Sequence, residues 1–154
     1  MGEEYEKLVE ILTVATDDNF ILDSSRSYFD CTNYYFEIDK DSTLQKRGPS
    51  KENRRDPIVG MGLLLDAQML PVGMKIFPGN ESEKPVMRDL IHDLKSRNNI
   101  KGRTIQIADK GLNCAKNSIE AIDNGDGYLF SKSVKTLPER ERQWVLLDDG
   151  FETV

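Results

Sequence analysis

A chain of 154 residues fits one domain with a core of its own. With 38% hydrophobic and 31% charged residues it has a globular composition, and no apolar run approaches the ~20 residues of a membrane helix. Its net charge of −6 argues against a broad DNA-coating surface, which would rest on Lys and Arg neutralising phosphates.

The two cysteines, Cys31 and Cys114, form neither a disulfide framework nor a zinc pattern, so the expected compartment is the reducing cytoplasm. His92, the one histidine, rules out a His-rich metal site and is expected on a helix surface. The acidic start, MGEEYEKLVE, is unlike a signal peptide.

The first predicted element is a helix over residues 3–15. Tyr5, Leu8, Val9 and Leu12 follow the spacing of one apolar face, and "TDDN" at 16–19 is expected to end it. That stripe is a candidate dimer surface if the monomer leaves it uncovered. Residues 1–27 thus form a helix and lead-in, and the core is assigned to 28–154. Tyr28 to Ile38 is rich in aromatic and β-branched residues and predicts a long strand, with Asp30, Thr32, Tyr34 and Phe36 on one face. Residues 39–56 are polar and carry Gly48-Pro49, which marks a loop or flap.

Ile58–Leu65 predicts a central strand, Asp66–Pro71 a turn, and the alternating Val72, Met74 and Ile76 an antiparallel partner. Ser82 is placed as the N-cap of the next helix, with Pro85 in its first turn and Met87, Leu90, Ile91 and Leu94 as its buried stripe. Arg103–Ala108 predicts a strand alternating at Ile105 and Ile107. Asn113 is expected to cap a helix with Ala115, Ile119 and Ile122 inward and Gly125 as its stop. Tyr128–Ser131 predicts a fifth strand, and 138–147 a helix with Trp144 and Leu147 as anchors. The closing "DDGFETV" reads as the start of a further hairpin. The element order predicts an α/β fold. Its mixed sheet has three antiparallel strands followed by αβαβ, with flanking helices and an N-terminal helix.

Two carboxylates stand out. An acid in the middle of a strand is costly to bury unless it is paired, hydrogen-bonded or holding a metal, and Asp30 occupies such a place. Asp109 lies at the carboxyl end of the fourth strand, where ligands collect in open α/β sheets. If the first and fourth strands are neighbours, the two acids meet, and close carboxylates favour a cation between them. Oxygen ligands suit Mg²⁺ or Mn²⁺, which stabilise in-line phosphoryl displacement. Asp109-Lys110-Gly111 by itself equally fits a strand-end turn leading into a capped helix. Asp39-Lys40-Asp41-Ser42 lacks the glycine and glutamate spacing of a calcium loop and reads as a turn.

The segments "YFDCTNYYFE", "KRGPSKENRRDPIVGMGLLLDAQMLPVGMKIFPGNESE", "IQIADKGLN" and "GDGYLFSKSV" occur in that order and cover the chain from Tyr28 onward. Together they resemble the catalytic domain of bacterial insertion-sequence transposases of the DDE type. The resemblance implies a ribonuclease H-like fold and a two-metal site using Mg²⁺ or Mn²⁺. The implied activity cuts DNA at transposon ends and joins the freed 3′-hydroxyl to target DNA. Matched by motif, Asp30 is the first catalytic and metal-binding aspartate and Asp109 the second. Thr32 and Asn33 would orient Asp30 or touch substrate, or serve as ordinary strand polarity. Lys110 and Asn113 would meet phosphates, or form a solvated cap.

The family's third acid, a glutamate in a Tyr…Arg…Glu…Lys pattern, is not found. Glu139, Glu141 and Glu152 lie outside such a context and read as surface charge. The expectation is a fragment that binds metal weakly or not at all and is inactive alone. Its alternative is a noncatalytic remnant serving at most as a nucleic-acid or protein contact. A third reading, a self-sufficient nuclease, would need a further acid from within the chain. Lys46, Arg47, Lys51, Arg54 and Arg55 in the flap are candidates for DNA backbone contact, against a solvated loop. DNA is the expected partner of the intact enzyme, with no membrane, and a homo-oligomer is the expected working form.

Overall fold

The computed structural model describes residues 2–49 and 55–147. Lys51, Arg54, Glu152 and the closing "DDGFETV" lie outside the described residues. In chain order the elements are α1 (Gly2–Asn19), β1 (Arg26–Tyr35), β2 (Ile58–Leu65), β3 (Pro71–Pro78), α2 (Glu83–Arg97), β4 (Ile105–Ala108), α3 (Ala115–Asp123), β5 (Gly127–Phe130) and α4 (Glu139–Val145). Short 3₁₀ turns follow β4 at Lys110–Leu112 and β5 at Val134–Thr136.

The five strands form one mixed sheet in the order β3-β2-β1-β4-β5. β1 pairs antiparallel with β2, and β2 with β3. β1 pairs parallel with β4, and β4 with β5. This is the mixed sheet with flanking helices and an N-terminal helix that the sequence predicts.

One face of the sheet makes the core. Phe29, Cys31, Leu64, Val72 and Phe77 pack against Val86, Met87, Leu90, Ile91 and Leu94 of α2. The Ser82 hydroxyl accepts the Lys84 N–H at the start of α2, the capping role its position predicts. β1 begins two residues earlier and ends three earlier than expected, with one further bond from Phe36 N–H to the Pro57 carbonyl.

Three helices depart from the expected pattern. α1 runs through "TDDN" to Asn19, and within it Thr13, Thr16 and Asn19 bond back to the carbonyls of Val9, Leu12 and Ala15. Its inward row is Tyr5, Val9 and Thr13, while Leu8 and Leu12 are 59% and 61% exposed. The Tyr5 hydroxyl accepts the Ile76 N–H at 2.6 Å, and Arg97 donates to the Val72 carbonyl at 2.8 Å. Both cover backbone groups of the edge strand β3, which would otherwise invite pairing with another chain.

In α3 the buried residues are Asn117 and Ala121, whereas Ile119 and Ile122 are 55% and 60% exposed and Ala115 is exposed too. Asn117 turns inward because its amide donates to the Leu112 carbonyl at 2.8 Å and accepts from Arg88, which also pairs with Glu120 at 3.2 Å. Cys114, not Asn113, occupies the N-cap position, without a side-chain bond. Gly125 follows the helix at φ +73°, a left-handed conformation that favours glycine. In α4, Trp144 is 73% exposed and Leu147 is exposed, so neither anchors the helix among the described residues.

The parity of β4 is also reversed. Gln106 and Ala108 are buried and Ile105 is exposed. The cause is Asp126, a fully buried carboxylate just before β5. It accepts from Gln106 Nε2 and Thr104 N–H, both at 3.0 Å, and pairs with Lys95 of α2. A buried carboxylate needs such donors, and meeting that need turns Gln106 inward.

Candidate active site

β1 is the middle strand of the sheet, and its residues alternate between core and open face. Phe29 and Cys31 are buried, while Asp30, Thr32 and Tyr34 are exposed. Asp30 therefore escapes the cost of burying a charge, because it stands on the face opposite the core. Its carboxylate accepts the Cys31 N–H at 2.8 Å.

The parallel register of β1 on β4 pairs Phe29 with Ala108, the last residue of β4. The next residues along the two chains are Asp30 and Asp109. Both line one cavity of about 430 Å³, together with Tyr28, Leu63, Leu65 and Ile107. The two acids thus share one hollow with largely apolar walls. Asp109 accepts the Lys110 N–H and, at 3.3 Å, the Ser131 hydroxyl from the end of β5.

Thr32 shares the exposed face of Asp30. Asn33 lines a second cavity, with Asp109, Lys110, Pro49 and Phe77. Asp109 borders both cavities. Lys110 is exposed. Asn113 is engaged structurally: its amide donates to the Ser131 carbonyl at 3.1 Å and ties the loop after β4 to the loop after β5.

The flap is held by its own residues. Lys46 exchanges backbone hydrogen bonds with Ile58, and the Arg47 guanidinium pairs with Asp41 at 2.8 Å and donates to the carbonyls of Asp39 and Arg55. Gly48 packs so closely on Gly79 that a Cβ there would lie 1.9 Å from the Gly79 carbonyl oxygen. Arg55 is exposed. The flap reaches the site through Pro49, which lines the Asn33–Asp109 cavity.

Among the described residues, no group of three His, Cys, Asp or Glu side chains is arranged to hold a metal. In α4, Glu139 pairs with Arg142, and Glu141 with Lys132 at 3.3 Å. Two carboxylates are a hard oxygen donor set that fits Mg²⁺ or Mn²⁺, with water or a substrate phosphate completing the shell. Ser131 is the residue that sequence reasoning missed. A serine closing a strand carries no signal until the Asp109 carboxylate is seen beside it.

No known family model matches the chain, and no curated protein sequence does. Among solved structures, the fold is similar to that of a piggyBac transposase in its synaptic complex with hairpin DNA. The TM-score is 0.50 at 6% identity, over 84% of this chain and 27% of that one. It is also similar to the Mos1 transposase in its paired-end complex with the left transposon end, with TM-score 0.44, 15% identity and coverage of 79% and 39%. The Mos1 mariner paired-end complex with Mn gives a TM-score of 0.42 at 16% identity, covering 79% and 39%. This chain therefore spans well under half the length of those proteins. At these identities the likeness is one of fold, shared with transposases.

Proposed function

We propose that this chain is part of the catalytic core of a DNA transposase of the DDE type, ribonuclease H-like in fold and of the kind carried by bacterial insertion sequences. The observation that carries this reading is the parallel register that brings Asp30 and Asp109 to one cavity. The motif resemblance from Tyr28 onward and the fold likeness to the piggyBac transposase support it.

In this reading Asp30 and Asp109 hold Mg²⁺ or Mn²⁺ as part of a site completed by a further acid. When bound, the ion neutralises charge on a DNA phosphate and activates the attacking oxygen. The protein's own contribution is position. β1 is paired on both sides and fixes Asp30, while Ser131 and the Lys110 N–H orient Asp109. Metal-dependent cleavage at transposon ends and strand transfer to target DNA are the native activity, performed by a homo-oligomeric assembly on DNA. Lys46 and Arg55 of the flap, with Lys110, are offered to backbone phosphates.

Calorimetric titration with Mn²⁺ tests the reading, on this chain and on an Asp30→Asn/Asp109→Asn double variant of equal stability. Saturable binding that the variant loses is the expected result. Identical titrations of the two proteins would remove metal binding by the pair in this chain alone.

A second reading, a noncatalytic nucleic-acid or protein contact module, is favoured by one observation. No third acid joins the pair among the described residues. Metal-independent DNA binding, with no Mn²⁺ binding at the pair, is the result that would select it.

A further inference from the structure

Beside Asp109, the loops after β4 and β5 border another cavity, open to solvent and of about 460 Å³. Lys110 and Asn113 line it from one loop, and Ser131, Lys132, Ser133 and Thr136 from the other. Among the described residues, no carboxylate belongs to this lining. Ser131 donates its hydroxyl proton to Asp109 and Thr136 donates its own to the Ser133 carbonyl, so the donors turned to the cavity are the two ammonium groups, the Ser133 hydroxyl and the second amide N–H of Asn113, the chemistry that receives a phosphate.

The cavity is also built, not incidental. Asn113 bonds across it to the Ser131 carbonyl at 3.1 Å, and Ser131 bonds to Asp109 at 3.3 Å. Whatever seats here is therefore registered against the carboxylate. Ser133 makes no side-chain capping bond to the 3₁₀ turn it precedes. Lys132 pairs with Glu141 of α4 at 3.3 Å, and both side chains are about half exposed, 53% and 54%. An exposed pair of this kind contributes little and exchanges readily for a phosphate oxygen.

We propose that this cavity is a subsite for a backbone phosphodiester of a single DNA strand, adjacent to the phosphate at Asp30 and Asp109. The proposal rests on the transposase reading and adds to it Lys132, Ser133 and Thr136, with Glu141 as an internal competitor for Lys132.

The test is anisotropy of a fluorescein-labelled single-stranded DNA oligonucleotide with this chain, in EDTA, across a series of salt concentrations. Lys132→Ala is expected to weaken binding several-fold and to flatten the slope of log K against log salt by about 0.7, the loss of one phosphate contact on a single strand. Lys132→Arg is expected to retain it. Glu141→Gln is expected to tighten binding, while Glu139→Gln in the same helix and Lys101→Ala at another cavity change little. Equal effects of Lys132→Ala and Lys101→Ala overturn the subsite, as does an absence of strand binding by the unaltered chain. Lys132-dependent binding of inorganic phosphate without Lys132-dependent binding of the strand also overturns it, in favour of a free anion.

Unfolding midpoints of all variants confirm that each protein is folded. Mn²⁺ titration of the same proteins separates the two ideas. Mn²⁺ binding at the aspartates with strand binding indifferent to Lys132 removes the subsite and keeps the transposase reading. Strand binding that depends on Lys132 with no Mn²⁺ binding removes the catalytic reading and keeps the subsite.

Discussion

The Ser131 hydroxyl donates to the Asp109 carboxylate at 3.3 Å, and so the end of β5 steadies an acid carried at the end of β4. The bond is long and exposed, at the weak end of the range, near ~0.5 kcal/mol. Ser131→Ala is expected to lower Mn²⁺ affinity about twofold, in step with that energy, and to leave the unfolding midpoint nearly unchanged. Calorimetry beside a urea melt reads both quantities. A large loss of stability would show that Ser131 supports the fold and not the carboxylate.

Asp126 is expected to be among the costliest surface-free positions to alter. Its carboxylate is fully buried and joins α2 through Lys95 to β4 through Thr104 and Gln106. Asp126→Ala leaves Lys95, itself only 19% exposed, without its partner. The expected loss is about 3 kcal/mol in urea unfolding. A loss below about 1 kcal/mol would mean that water reaches Lys95 freely.

Met87 and Ile119 make a sharp contrast between two helices. Met87 is completely buried in the core, and Met87→Ala is expected to cost about 2–5 kcal/mol. Ile119 sits on the open side of α3, and Ile119→Ser is expected to stay within about 0.5 kcal/mol. Chemical denaturation of the two variants checks the assignment. A cost at Ile119 approaching that at Met87 would place it under a covering surface.

Tyr5 should report on the docking of α1. Burial raises its hydroxyl above the usual value of 10.0, although the Ile76 N–H it accepts acts the other way. The folded form thus favours the protonated phenol. The associated stability is present below pH 10.0 and is lost as pH rises through the raised folded value. The unfolding midpoint is expected to fall in that window for the parent and to fall less for Tyr5→Phe. Parallel alkaline profiles would sink the assignment.

The strands and the antiparallel run of the first three were legible because apolar runs and turn residues mark them directly, whereas only the register places β4 beside β1. Ile58–Leu65 is one such run, and Ser82 before α2 is a strong local signal. Helix faces were less legible where a buried polar group sets them. Asn117 and Gln106 read as surface residues until Leu112, Arg88 and Asp126 are placed around them. In α1 both Leu8 and Val9 fit an apolar stripe, and only the position of β3 selects Val9. Asp30 and Asp109 stood out as chemically expensive side chains, and their shared cavity follows from strand order. Ser131 and Lys132 had no such mark, since their neighbours come from loops distant in sequence.

The β1–β4 pairing has a kinetic side. Asp30 and Asp109 are 79 positions apart (109 minus 30), whereas β1, β2 and β3 follow one another as antiparallel neighbours. Closing the longer loop costs more chain entropy and is expected later in folding. The carboxylate pair then does not exist until β4 has docked against a meander already in place. Mn²⁺ captured during refolding would serve as a clock for that event, separate from the burial of Phe29 and Met87 in the core.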